Sequence, residues 1–157
     1  MINKIVLINE DEIERVEKGN TEQFHYYRRK ITNRGDFNQV YIAIYDIPPL
    51  KAAFPMHYHE ANTEAFYIIS GQGIVKTLGE ELAIKQGDTI VFPPGKEGTH
   101  QIINTSETEM LTYIDFDTTN SPDIVRYPDS KKVGIIIQNT SSEFFVEDDT
   151  VDYYEGE

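Results

Sequence analysis

The chain has 157 residues, with 27 acidic against 14 basic side chains and a formal charge of −13. That length suits one domain whose core needs no staple, and so negative a field opposes nucleic acid and anionic membrane surfaces. The absence of cysteine excludes a disulfide framework and every cysteine-based zinc motif.

The expected elements run as follows. The start, Met1-Ile2-Asn3-Lys4, does not read as a signal peptide, and no stretch approaches the roughly 20 apolar residues of a bilayer span. A cytoplasmic protein with no membrane partner is the expectation. Asn9 reads as an N-cap, Glu12 as its capping-box partner and Gly19 as a stop, giving at most a short N-terminal helix. Strands follow over 24–31, 39–47, 51–60, 63–70, 74–78, 81–85, 89–92, 99–103 and 110–116. Their breaks are turn signals: Asn33-Arg34-Gly35-Asp36, Pro48-Pro49, Gly71-Gln72-Gly73, Gly79-Glu80, Gly87-Asp88 and Pro93-Pro94-Gly95. Many short strands near ten-residue spacing predict an all-β sandwich or barrel. Ala65 to Ile69 is apolar at every position, which predicts a strand buried on both faces, against a second sheet or a partner copy in a homodimer. Seven acids and no base fall between Glu143 and Glu157. This C-terminal extension reads either as a solvated tail or, given Phe144, Phe145, Tyr153 and Tyr154, as a strap.

Three of the four histidines fall in one pattern: His57-Tyr58-His59, Glu64 five residues on, and His100 behind the Pro-Gly turn. Alternate residues of a strand share a face, so His57 and His59 can point together while Tyr58 points away. Glu64, with Glu60 as a competitor, and His100 then have to arrive from other strands, which demands a strand-rich cup. Three imidazoles and a carboxylate suit a divalent metal, manganese, iron, zinc or nickel, with the choice open. His25 lacks a partner pattern and reads as surface or structural, and Lys51 as solvated. Phe66 and Ile68 share the face of Glu64, Ile102 that of His100, and Tyr41 that of Tyr45. On the last middle strand either Tyr113, or Thr112 with Ile114, faces inward.

His57, His59, Glu64 and Gly71 sit on the pattern His-X-His-X4-Glu-X6-Gly. Gly87, Pro93, Gly95, His100 and Asn104 sit on Gly-X5-Pro-X-Gly followed by a histidine and X3-Asn. In this the chain resembles the cupin superfamily over about residues 39 to 117. It departs from the common form in placing four residues, Lys96-Glu97-Gly98-Thr99, between the last glycine and the histidine. The segment Tyr127 to Gly134 resembles the continuation of small bacterial cupins. The resemblance implies a double-stranded β-helix, a jelly-roll-like barrel making a single domain of residues 1–157. It also implies a metal near one mouth held by His57, His59, Glu64 and His100, with Asn104 tying loop backbone. Cupins with this ligand set include dioxygenases, decarboxylases and sugar isomerases. A metal-dependent enzyme acting on an oxygen-bearing small molecule is therefore the first expectation, its catalytic residues unassigned. A non-catalytic sugar- or metabolite-binding module is the second.

Overall fold

A computed structural model describes residues 4–37 and 39–157. Met1 to Asn3, part of the start read above as unlike a signal peptide, lie outside the described residues. The expected N-terminal helix shrinks to one 3-10 turn, Glu10–Glu12, where the Asn9 side chain accepts from the Asp11 N–H at 3.0 Å. It does not run to Gly19. Only Ile13 and Val16 offer apolar surface there, too little for a helix to bury, and the chain becomes strand instead.

Thirteen strands follow: β1 Val16–Lys18, β2 Tyr26–Lys30, β3 Val40–Ile47, β4 Tyr58–His59, β5 Glu64–Ser70, β6 Gln72–Lys76, β7 Glu81–Lys85, β8 Thr89–Phe92, β9 Gln101–Asn104, β10 Leu111–Thr118, β11 Asp123–Tyr127, β12 Lys132–Ile137 and β13 Ser141–Val146. The strand expected over 51–60 is reduced to β4, and β1, β11, β12 and β13 were not anticipated. The first barrel wall is a six-stranded sheet in the order β1-β2-β3-β10-β5-β8. The other combines two smaller sheets, β13-β12-β11-β4 and β7-β6-β9. These two meet where His57 and His100 exchange backbone hydrogen bonds of 3.1 and 2.9 Å. Two of the sequence-identified histidines therefore form the seam of the second wall.

Strand pleating decides what fills the barrel. On β5, Glu64, Phe66 and Ile68 point inward. On β10 the inward set is Leu111, Tyr113, Asp115 and Asp117, which settles the open alternative for Tyr113. The antiparallel register sets Ile68 opposite Tyr113, Phe66 opposite Asp115 and Glu64 opposite Asp117. One end of the barrel is consequently apolar, closed by Ile47, Ile68, Val75 and Leu111, and the other end is lined with acids and imidazoles. Tyr41 and Tyr45 both face this core. Within the single chain, Ala65 to Ile69 is buried on one face only, so the second cover expected for it is not another sheet of this chain. Its Tyr67 and Ile69 are exposed, as are Val91 and Phe116 on the neighbouring strands.

The C-terminal extension divides. Its first part is β13, paired along its length with β12, and Arg126 of β11 ties back to Glu147 at 2.6 Å. Beyond it Tyr153 and Tyr154 are exposed and pack on one another.

Candidate metal centre

The three imidazoles and Glu64 come together at the polar end, all buried. Glu64 reaches the Nε2 atoms of His57, His59 and His100 at 3.8, 3.5 and 3.3 Å. Their Nδ1 atoms are each engaged by a protein oxygen: His57 with the Pro55 carbonyl at 2.9 Å, His100 with the Gly98 carbonyl at 2.8 Å, and His59 with the Asp123 carboxylate at 2.5 Å. An imidazole that donates through Nδ1 presents its Nε2 lone pair, and that orientation is what a metal ligand requires. Neighbouring rings hold the imidazoles in place. Phe92 stacks on His100 at 3.6 Å between centroids, and Tyr127 stacks on His57 at 5.9 Å.

The local backbone explains how His100 arrives. The four-residue stretch Lys96–Thr99 makes a 3-10 turn over Lys96–Gly98, and the Gly95 N–H bonds to the His59 carbonyl at 2.7 Å. A Cβ on Gly98 would lie 1.9 Å from the Pro93 carbonyl oxygen, so only glycine allows this fold-back. The departure from the common spacing thus builds the loop whose Gly98 carbonyl orients His100. At the end of β9 the Asn104 amide donates to the Ile47 and Glu109 carbonyls and accepts from the Ser106 N–H, so Asn104 ties loop backbone.

A cavity of about 140 Å³ opens in front of this cluster, lined by His57, His59 and Glu64 and by Asp115, Asp117, Arg34 and Tyr127. Asp115 and Asp117, which sequence reasoning missed, each keep one buried carboxylate oxygen without a hydrogen-bond partner. Arg34 donates to the other oxygen of Asp117 at 2.9 Å. Opposite Asp115 on β3 stands Ala43, whose small side chain leaves room beside the carboxyl. The missed pair had one sequence signal: two acids at alternating positions at the end of an otherwise apolar strand. Asp123 and Tyr127 were also missed, and both belong to β11. Glu60 is not in the cluster and pairs with Arg126 at 2.6 Å. His25 bonds Glu17 at 2.8 Å, and Lys51 bonds the Glu22 carbonyl, so neither faces the cavity.

Burial and mutual charge set the protonation pattern. Burial, with His100 close by, lowers His57 to about 4. Burial also lowers His100. For His59 burial again opposes the charge, but the hydrogen bonds to Asp123 and Glu64 outweigh it and raise the group to about 10. Glu64 is held below the usual carboxylate range, because the imidazoles overcome its burial. Burial raises Asp115 well above its usual value, with Asp117 adding to the effect. Burial and then Glu64 raise Asp117 to about 6. A dication in the cavity would pull all of these carboxyls back toward ionisation.

His57, His59 and Glu64 form a group that can hold a metal ion, their donor atoms lying within 4.8 Å of one another. The donor chemistry fits a divalent transition metal. The His100 Nε2, buried without a hydrogen-bond partner, fits a fourth ligand.

Known proteins resemble this chain in sequence and fold. Residues 43–116 match the cupin domain family. An uncharacterised protein of Methanocaldococcus jannaschii is 34% identical over 58 residues, covering 37% of this chain and 45% of that protein. An oxalate-binding protein of Thermotoga maritima is 33% identical over 64 residues, 41% of this chain and 50% of that protein. The chain thus matches about half the length of each curated relative. Among solved structures, a cupin-superfamily sugar phosphate isomerase of Silicibacter pomeroyi superposes with a TM-score of 0.78 over 92% of this chain and 95% of its own, at 18% identity. Such identity speaks for the fold alone.

Proposed function

Since residues 43–116 of this chain match the cupin domain family and its fold is shared with a solved cupin, we propose that it is a metal-dependent enzyme acting on an oxygen-bearing small molecule by isomerase-type proton transfer. His57, His59, Glu64 and His100 would hold the ion. When bound, it would act as a Lewis acid toward a carbonyl or hydroxyl oxygen of the substrate. The observation that carries the reading is the carboxyl pair. Asp115 and Asp117 line the same cavity as His57, His59 and Glu64, on the same wall as Glu64.

A proton acceptor and a proton donor side by side are what aldose–ketose interconversion needs. One carboxylate takes the proton from the carbon next to the carbonyl, and the same or the neighbouring group returns a proton to the adjacent carbon. Asp117, ionised more readily than Asp115 and steadied by Arg34, is assigned as the base. Asp115, raised further than Asp117, is assigned as the donor, the group of the pair that holds its proton longer. The pair supplies both the base and the acid of an isomerisation, and this places isomerisation ahead of a dioxygenase. The sugar phosphate isomerase with the same fold supports the choice.

A second reading is a non-catalytic binder of a small chelating metabolite. The small volume of the cavity and the oxalate-binding relative favour it. Glu64 and Asp117, the more readily ionised carboxyls of the cavity, oppose it for a dicarboxylate, because like charges repel at that range.

The test is hydrogen exchange. Protein stripped of metal, then reloaded separately with manganese, ferrous iron, nickel or zinc, is incubated with aldoses and ketoses in D2O. Deuterium incorporation next to the carbonyl is followed by proton NMR. Exchange with at least one ion is expected, falling about 100-fold or more in Asp117→Asn with metal content retained. Tight metabolite binding with no exchange would favour the binder, and oxygen uptake would favour the dioxygenase. If His57→Ala and His100→Ala both keep full metal occupancy, the ligand assignment is wrong.

A further inference from the structure

A second cavity, of about 370 Å³, lies beside the first and shares Arg34, Tyr45 and Phe54 with it. Its charged lining is entirely basic: Arg28 and Lys30 from β2, and Arg34 from the turn that follows. Asn33 and Asn139 add side-chain amides, and no acidic residue lines it. In a chain of charge −13 this is an unusual concentration of cations.

Elsewhere the arginines are paired. Arg15 and Arg29 bind Asp46, Arg34 binds Asp117, and Arg126 binds Glu60 and Glu147. Among the described residues Arg28 is the one arginine without a carboxylate partner, and its Nε–H is buried with no acceptor. Burial and the nearby charges of Arg28, Lys18 and Arg34 lower Lys30, the signature of like charges held together without a counter-ion. An unpaired guanidinium fork beside an ammonium and two amides offers many donors to a multi-oxygen anion.

We propose that this outer cavity is an oxyanion subsite that binds the phosphate monoester of the substrate, while the carbonyl end of the same molecule reaches the inner cavity. The inference rests on the isomerase reading for the inner end of the substrate, although the anion subsite itself is independent of any metal. Arg28 and Lys30, the two cations here without a carboxylate partner, with Arg34 at the edge, suit a dianion better than a singly charged carboxylate. Arg34, facing both cavities, bonds Asp117 at 2.9 Å and lies 4.9 Å from the Tyr41 ring centre. It stands at the junction, where a bound phosphate would meet the arginine that steadies the proposed base.

The test uses inorganic phosphate and, separately, acetate as probes on chelator-stripped protein at low ionic strength, so that no metal can capture either anion. Titration calorimetry and chemical-shift changes at Arg28 and Lys30 are the readouts. Phosphate should bind more tightly than acetate. Arg28→Gln should weaken phosphate about tenfold or more, and the exposed Lys30→Gln about threefold, with folding checked by circular dichroism. Reloaded Arg28→Gln should keep wild-type metal content. Absence of phosphate binding to wild-type protein, equal phosphate binding in wild type and both variants, or acetate binding at least as tightly as phosphate, would each overturn the subsite. Deuterium exchange, run with aldose and ketose phosphates as well as the free sugars, separates the two proposals. Phosphate binding without exchange leaves the subsite standing and removes the isomerase, and exchange without phosphate binding does the reverse.

Discussion

The two ends of the barrel are built from the same strands and do opposite work. Along β10 the inward residues run from Leu111 and Tyr113 to Asp115 and Asp117, and along β5 from Ile68 and Phe66 to Glu64. The apolar end is ordinary core, where burial of each large side chain contributes on the order of 2 kcal/mol. At the polar end three imidazoles and several carboxyls are buried, and oxygens of Asp115, Asp117 and Asp123 lack partners. Burying such groups costs stability unless something binds them. The contrast teaches where selection for folding ends and selection for chemistry begins, at about Phe66 on one strand and Tyr113 on the other.

The largest expected effect lies at the apolar end. Leu111 is fully buried and opposes Ile47 on β3. Leu111→Ala should cost about 2–5 kcal/mol in denaturant unfolding, while the folded fraction keeps its metal content and its exchange rate per bound ion. A loss of metal affinity in folded Leu111→Ala protein would mean that the two ends are not separable.

A middle-sized effect comes from His59, whose proton belongs to the metal-free protein. Its folded value of about 10 stands above the usual 6.5. Between these values the folded state holds a proton that the unfolded state has released. The stabilisation is therefore complete below pH 6.5 and is lost as pH rises toward 10. From pH 7 to 9 the metal-free protein should lose about 1–2 kcal/mol in urea unfolding, the coupled burial of the site keeping this below the single-site limit. Asp115, also raised, contributes a slope of the same sign, so the His59 share is read against Asp123→Asn, which should flatten the slope. The same variant should weaken metal binding by about 10- to 100-fold, because it frees the His59 ring. In wild type, metal affinity should instead rise with pH as the ion displaces the His59 proton. An identical slope in Asp123→Asn would sink the assignment.

Sequence made the cluster of His57, His59, Glu64 and His100 visible and most of its surroundings invisible. His57, His59, Glu64 and His100 carry a spacing that turns and pleats translate into convergence, and the strands between Val40 and Thr118 are bounded by glycine and proline signals. By contrast, β11 lies in the chain after those signals, and its only partner on the site side is the two-residue β4. Nothing local announces it, although it brings Asp123 to His59 across 64 positions. Arg34 meets Asp117 across 83 positions, a contact that exists only once β2, β3 and β10 are packed. Asp115 and Asp117 were within reach. The sequence pattern ends that strand at Phe116 and leaves its facing open, and an inward Tyr113 puts both acids in the barrel. The N-terminal cap was legible as a cap, but a cap without an apolar stripe produces a turn.

The smallest expected effect is the sharpest test of the contrast between the ends. Burial raises Asp115 well above the usual carboxylate range in the metal-free protein, and Asp115→Asn puts an uncharged polar group of nearly the same shape in its place. It should change the stability of the metal-free protein by less than about 1 kcal/mol, and it leaves His57, His59, Glu64 and His100 untouched. It nevertheless removes the proposed proton donor, and deuterium exchange in the reloaded protein should fall about 100-fold. A group that matters for chemistry and hardly at all for folding is what the polar end requires. If Asp115→Asn exchanges at the wild-type rate, the carboxyl pair is structural, the proton route runs elsewhere, and the donor role assigned to Asp115 is wrong. If it unfolds the protein, Asp115 holds the wall together as Leu111 does, and the boundary at Tyr113 is misplaced.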